Sequence, residues 1–146
     1  MKTFVVYDSA HGNTEQIARS IAEGMGGKAE ALRVNAADIG KLTAGDFLII
    51  GSPIYGGRPT PAIQAFIDKI PKAVAEKLSA ATFDTRLSMK FAKIFGRAAD
   101  RMAAKLKEKG CSMKAPPEGF IVLGREGPLA AGEIERAAAW AGKLRA

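Results

Sequence analysis

The sequence predicts an α/β fold, a doubly wound five-stranded parallel sheet with helices on both faces, in a single domain over residues 1–146. Three observations carry this. Short β-branched and aromatic runs alternate along the chain with segments of helical periodicity. One run, Asp46-Phe47-Leu48-Ile49-Ile50-Gly51, is almost continuously apolar, as expected of a parallel strand covered on both faces. A length of 146 residues suits one domain and one proper core.

Each element follows from local pattern. Phe4-Val5-Val6-Tyr7 is β-branched and aromatic, hence a strand. Over residues 14–25, Ile17, Ala18, Ile21, Ala22 and Met25 fall on one helical face. Asn13 with Gln16 three residues later resembles a capping box, and Gly24, Gly26 and Gly27 end the helix. Residues 29–34 form a weaker strand at an edge, and residues 35–45 carry a poor signal for a short helix. After the apolar strand of residues 46–51, Thr60-Pro61 supplies an N-cap and a proline at the first helical position. Ile63, Phe66, Ile67 and Ile70 complete that helix's apolar face, and Pro71 stops it. A short strand is expected over residues 80–83, a helix over 96–109, a strand over 120–123 and a last helix marked by Ile134, Ala137, Ala141 and Leu144.

Composition excludes several classes. Hydrophobic residues make up 47% and charged residues 25%, the balance of a globular chain rather than a disordered one. A single cysteine, Cys111, excludes a disulfide framework or a cysteine-built metal cluster within one chain. The first apolar stretch is four residues long, too short for a secretory signal or a membrane span, so a cytoplasmic location is expected.

In a doubly wound sheet, ligands sit beyond the carboxyl ends of the strands, where the strand order reverses. The turns at residues 8–13, 52–59, 84–95 and 124–131 are therefore the candidate sites. The first contains Ser9-Ala10-His11-Gly12-Asn13-Thr14 between a strand and a helix. A helix N-terminus offers unpaired N–H groups and about half a positive charge, which suits a phosphate. Gly12 allows close approach, and Ser9, Asn13 and Thr14 add side-chain donors. The spacing matches neither a triphosphate P-loop nor a dinucleotide fingerprint. An ordinary capped helix start also favours Ser, Asn and Thr. The second turn, Gly51-Ser52-Pro53-Ile54-Tyr55-Gly56-Gly57, places an aromatic between proline and two glycines. Tyr55 can stack on a flat ligand while the glycines let the backbone approach its ring.

These two motifs resemble the flavodoxin-like family, and the strand–helix order extends the resemblance over essentially the whole chain. The resemblance implies a strand order of 2-1-3-4-5 and a noncovalently bound FMN that cycles through one- and two-electron steps. By position, Ser9, His11, Gly12, Asn13 and Thr14 would hold the phosphate. Pro53, Ile54, Tyr55, Gly56 and Gly57 would line one side of the isoalloxazine, and Asp84, Thr85 and Arg86 would approach the other. The tail around Gly119-Phe120 and Glu126-Gly127-Pro128-Leu129 is similar to a flavodoxin-domain subfamily of unassigned role. This chain departs from the family pattern in His11, which stands where a hydroxyl residue is usual, in a third turn without the aromatic that often stacks on the flavin, and in its charge.

The net charge is +7, where electron-carrying flavodoxins are generally acidic. Residues 86–109 carry 8 basic and 2 acidic side chains, which accounts for nearly all of the excess. Lys93, Arg97, Arg101 and Lys105 recur every four residues on one predicted helical stripe, off the apolar face of Ala98, Ala99, Met102, Ala103 and Leu106. A stripe of this kind is either a solvated face or a dock for an anionic partner, namely an acidic protein, an anionic substrate or an anionic membrane surface. No nucleic-acid motif accompanies it.

Other constellations are weak. Asp8, Ser9 and His11 are neighbours in sequence and do not suggest a converging triad. His11 and Glu15 are too few for a metal. Trp140 reads as a packing residue. The function expected is that of an FMN-binding electron-transfer protein. The alternatives are a single-domain FMN-dependent oxidoreductase acting on a quinone or porphyrinogen-like molecule, and a binding domain without flavin.

Overall fold

A computed structural model describes residues 1–87 and 97–145. Its strands are β1 (Thr3–Tyr7), β2 (Ala29–Arg33), β3 (Phe47–Pro53), β4 (Ser79–Arg86), β5 (Ser112–Met113) and β6 (Glu118–Ile121). The helices are α1 (Asn13–Gly24), α2 (Pro61–Lys69), α3 (Lys72–Ala75), α4 (Ala98–Glu108) and α5 (Glu133–Arg145). The sheet runs β2-β1-β3-β4-β5, with β6 also paired to β4, and every pairing is parallel. The expected strand order and class are those observed.

The strands alternate their side chains between two cores. On one face Val5, Tyr7, Phe47, Ile49, Ala81 and Phe83 meet Ile17 and Ile21 of α1 and Ala137, Trp140 and Ala141 of α5. On the other, Phe4, Val6, Leu48, Ile50 and Ala80 meet Ile63, Phe66 and Ile67 of α2 and Ala99, Met102 and Leu106 of α4. Phe83, Phe120 and Trp140 pack edge to face, with ring centroids 6.1–6.3 Å apart. Trp140 is thus a packing residue, as its sequence position suggests. Cys111 is buried in the α2–α4 core, where burial pushes its thiol up.

Several boundaries differ from the sequence expectation. Residues 35–45 hold two short 3₁₀ turns, Val34–Ala36 and Ile39–Lys41, rather than an α-helix. Asn13 is the first residue of α1, not its cap. The N-cap is Gly12, at φ 91°, with no side-chain cap bond. β4 runs three residues past the expected end because β6 pairs with Phe83–Arg86 and keeps the chain extended. The fifth strand position is split. Ser112–Met113 pairs with the start of β4 and Glu118–Ile121 with its end. Between them lie Pro116 and Pro117, which have no N–H to donate to a ladder. The expected strand of 120–123 therefore begins and ends two residues earlier. The helix expected from residue 96 begins at Ala98, and residue 96 itself lies outside the described residues.

Two glycines set close approaches. A Cβ on Gly51 would lie 1.9 Å from Phe83 Cζ, so the end of β3 passes over that ring only because Gly51 has no side chain. A Cβ on Gly24 would lie 2.7 Å from the Ala138 carbonyl, where α1 and α5 come together.

Candidate functional site

The carboxyl ends of β1, β3 and β4 open into a cleft of about 390 Å³. Its walls come from Ser9, Ala10, His11, Asn13 and Thr14, from Pro53, Ile54, Gly56 and Gly57, from Thr85, Arg86 and Leu87, and from Val122 and Arg125. That volume lies at the small end of the range for small-molecule and cofactor sites.

The β1–α1 turn is held by its own neighbours. Ser9 Oγ accepts from the Gly12 N–H at 3.0 Å and from the Glu15 N–H at 3.4 Å. Arg33, at the end of β2, donates to the Ser9 carbonyl at 2.9 Å and pairs with Glu15 and, at 3.6 Å, with Asp8. Hydrogen bonding from Arg19, with the charge of Arg33 nearby, holds the Glu15 carboxyl below its ordinary range. Glu15 is thus engaged by two arginines, Arg19 and Arg33. Space beside Gly12 is open: a Cβ there would meet nothing within 4 Å. His11 is exposed on the cleft wall, and Asn13 and Thr14 are buried beneath it.

The second turn is a two-residue loop. Tyr55 and Arg58 exchange backbone bonds of 2.7 and 3.1 Å, and Gly56 and Gly57 between them have φ 60° and 81°. Positive φ at both central residues is what a type I′ turn demands, and glycine supplies it without a Cβ clash. Gly56 and Gly57 face the cleft, whereas Tyr55 is 68% exposed and is not among the residues of the cleft wall. From outside, Arg101 of α4 donates through Nε to the Gly57 carbonyl at 3.0 Å.

Asp8 ties the two turns together. Its N–H donates to the Gly51 carbonyl, and its carboxylate accepts from Thr60 Oγ1 at 2.6 Å. Thr60 is the N-cap of α2, accepting from the Ile63 N–H, as the sequence predicts.

The third wall departs from the sequence expectation. Asp84, Thr85 and Arg86, expected in a turn, form the last residues of β4, all buried. Asp84 and Arg86 are paired through two bonds, of 2.6 and 2.9 Å, and Asp84 also accepts from the Ala99 N–H at the start of α4. The Asp84 carboxylate is therefore engaged on the α4 side of the sheet, and Asp84 is not part of the cleft wall. Burial pushes its carboxyl above the ordinary range, against the pull of the Arg86 guanidinium. Thr85 projects to the other side, where its hydroxyl meets that of Thr14 at 2.8 Å. The rest of the expected third turn, residues 88–95, lies outside the described residues.

Val122, Leu87 and Arg125 belong to the cleft wall, although no sequence motif marks them as site residues. The only sequence signal for Arg125 is its place in the fourth turn. The structure brings that turn back to the first. A Cβ on Gly127 would lie 2.7 Å from Asn13 Oδ1. The turn is anchored by Glu133, which accepts from the Ile121 N–H at 2.6 Å and from Arg136 at 2.8 and 2.9 Å. Hydrogen bonding from Arg136 holds the Glu133 carboxyl below its ordinary range.

Of the basic stripe, Lys93 lies outside the described residues. Arg97 pairs with Asp100 at 3.8 Å and Lys105 with Asp68 of α2 at 3.3 Å. Among the described residues no helix is long and apolar enough to cross a membrane.

A family model described as a flavodoxin domain matches residues 4–115. No curated protein matches the chain in sequence at a significant level. Among solved structures, a flavodoxin from the domain Archaea aligns with a TM-score of 0.79 at 18% identity, over 99% of this chain and 96% of that one. Oxidised flavodoxin 1 from Bacillus cereus aligns with a TM-score of 0.76 at 19% identity, over 99% and 97% of the two chains. The rubredoxin:oxygen oxidoreductase of Desulfovibrio gigas aligns with a TM-score of 0.77 at 21% identity, over 99% of this chain but 35% of that one. At such identities these likenesses speak for the fold alone. The family match spans more than three quarters of the sequence and includes both turns that face the cleft, and it supports the one conclusion about identity: the chain belongs to the flavodoxin-domain family.

Proposed function

We propose that this protein binds FMN in the cleft beyond β1, β3 and β4 and exchanges electrons with an acidic redox partner protein. The observation that carries the reading is the pairing of an open helix N-terminus at one end of the cleft with a double-glycine turn at the other. The residues present fit the group. Backbone N–H groups at the start of α1, with Ser9, Asn13 and Thr14, suit a phosphate, and His11 adds a ring that carries positive charge when protonated. Gly56 and Gly57 let backbone come within contact distance of a flat ring. Pro53, Ile54, Leu87 and Val122 supply apolar wall.

When bound, FMN supplies one- and two-electron chemistry. The chain's own residues bind, orient and shield it. Thr14 and Thr85 join the phosphate end of the cleft to β4, and Asp8 keeps the two turns in register. Arg97, Arg101 and Lys105 set a positive field along α4 that steers an acidic partner towards the cleft. A second reading, a single-domain FMN-dependent oxidoreductase acting on a quinone or porphyrinogen-like molecule, is favoured by the mouth of the cleft. There Leu87, 44% exposed, lies on the same wall as Pro53, Ile54 and Val122, an apolar surface suited to a flat substrate.

The test is the visible spectrum of purified protein with and without FMN, followed by fluorescence titration with FMN, FAD and riboflavin. FMN is expected to bind and FAD to bind much less well, since the cleft offers one phosphate cradle. Equal affinities, or no binding, defeat the reading. Thr14→Val is expected to weaken FMN roughly tenfold and leave riboflavin unchanged, the loss of about one hydrogen bond to a charged group. Turnover of a quinone with a reductant and no protein partner would favour the second reading.

A further inference from the structure

The Tyr55–Arg58 turn stands between two clefts. Gly56 and Gly57 form part of the wall of the flavin cleft, while Arg58 and Pro59 line a second one of about 420 Å³ between α2 and α4. The second cleft is also lined by Arg101 and Lys105, with Asp68 and Glu108. Arg97 and Lys109 extend the same stripe of α4, so the face carries five cations against Asp68, Asp100 and Glu108.

Arg101 reaches both sides of this partition. Its bond to the Gly57 carbonyl, 3.0 Å long and across 44 residues of sequence, uses Nε alone. Its terminal amino groups make no hydrogen bond or ion pair to a described residue. A guanidinium is a rigid planar fork, so Nε can hold the carbonyl while the terminal groups grip a carboxylate.

We propose that Arg101 is a positioning residue that couples the α2–α4 face to the flavin turn: an acidic partner protein gripping its terminal amino groups orders the Tyr55–Arg58 turn. The coupling is positive. A docked carboxylate immobilises the guanidinium, and a fixed guanidinium restrains the Gly57 carbonyl. A turn already ordered costs less conformational entropy when a flavin packs on it. By linkage, a flavin on the turn favours partner docking by the same factor. The choice of an acidic protein rests on the excess of cations and on the proposed electron-transfer reading. The coupling through Arg101 rests on the hydrogen bond and is testable without flavin.

The experiment measures amide hydrogen exchange at Arg58, whose N–H bonds the Tyr55 carbonyl and so reports opening of the turn. The probe is poly-L-glutamate at low salt, on flavin-free wild type, Arg101→Met and Lys105→Gln. Each variant removes one positive charge from the face, and only the first cuts the link to Gly57. Wild type and Lys105→Gln are expected to show exchange slowed about fivefold by polyglutamate, the lower end of ordinary coupling, and Arg101→Met no slowing. Polyglutamate binding, followed by anisotropy, is expected to weaken equally in the two variants. Riboflavin, which lacks the phosphate charge, is expected to bind more tightly to wild type with polyglutamate present and not to Arg101→Met. Unchanged exchange in wild type overturns the proposal, as does undiminished slowing in Arg101→Met or failure of polyglutamate to bind. Slowing by phosphatidylglycerol vesicles but not by polyglutamate replaces the acidic protein with a membrane surface and overturns the choice of partner. If no flavin binds wild type, the flavin reading fails, and the exchange measurement still decides the coupling.

Discussion

The two turns that face the cleft are held in different ways. The first, between β1 and α1, is held by groups close in sequence and on the adjoining strand: Ser9 Oγ under the Gly12 N–H, and Arg33 on the Ser9 carbonyl. The second closes on itself through the Tyr55–Arg58 bonds, and its outer restraint comes from a helix 44 residues away. A turn that begins a helix borrows the helix's rigidity. The two-residue loop at Gly56-Gly57 lies outside both the strand and the helix that Thr60 caps, so its position depends on tertiary contacts. Under the proposed function, that division places the adjustable part on the side of the proposed partner.

The largest test of this comparison removes the support both turns share. Gly51 accepts the Asp8 N–H through its carbonyl and passes over the Phe83 ring. Gly51→Ala is expected to cost about 3 kcal/mol or more in urea unfolding, because neither a strand backbone nor a packed ring yields easily. A loss below about 1 kcal/mol would mean that the end of β3 is not pinned there.

A smaller effect probes the opposite wall. Glu133→Gln weakens the anchor of β6 at the Ile121 N–H and the Arg136 pair, and is expected to cost about 2 kcal/mol at neutral pH. The Glu133 carboxyl is held below its ordinary value chiefly by Arg136. Its contribution is therefore fully present above the unfolded value of about 4.3 and is lost as pH falls below that towards the folded value. The stability difference between wild type and variant should shrink over that acid window. A difference independent of pH would show that the carboxylate charge is not what matters.

The smallest test asks where the two turns are alike. Gly12 and Gly56 have φ 91° and 60°, and a Cβ on either meets nothing within 4 Å. Gly12→Ala and Gly56→Ala are expected to cost about 1 kcal/mol each, the price of left-handed backbone and nothing more. A much larger loss at one of them, measured by thermal unfolding, would reveal a steric demand specific to that turn.

How legible each part is in the sequence follows from the range of the forces that make it. β1, β3, α1 and α2 are readable because hydrophobic periodicity and the Thr60-Pro61 cap act within a few residues. The cleft's position is readable for the same reason, since the strand–helix order places the turns. Asn13 reads as the cap of α1, yet Gly12 in the left-handed region starts the helix without a side-chain cap, a choice made by its surroundings. Asp84-Thr85-Arg86 reads as a polar turn one residue at a time. It becomes a strand because Asp84 and Arg86 neutralise each other in the interior and β6 lies alongside. The basic stripe is visible as charge, but its spacing shows neither the Lys105–Asp68 pair nor Arg101's reach to Gly57.

By itself, then, the sequence determined the alternation of strands and helices, the parallel sheet and the turns at its carboxyl edge. The alternation is written in local periodicity repeated along the chain, and strand–helix alternation in turn calls for parallel pairing through helical crossovers. Only the tertiary structure decided that the fifth strand is split about Pro116-Pro117, that Tyr55 faces solvent while its glycines face the cleft, and that Arg125 joins the same cleft wall as the first turn. These outcomes depend on which distant groups meet, and burial of a charge or closure of a turn is settled only when its partner from elsewhere in the chain is in place.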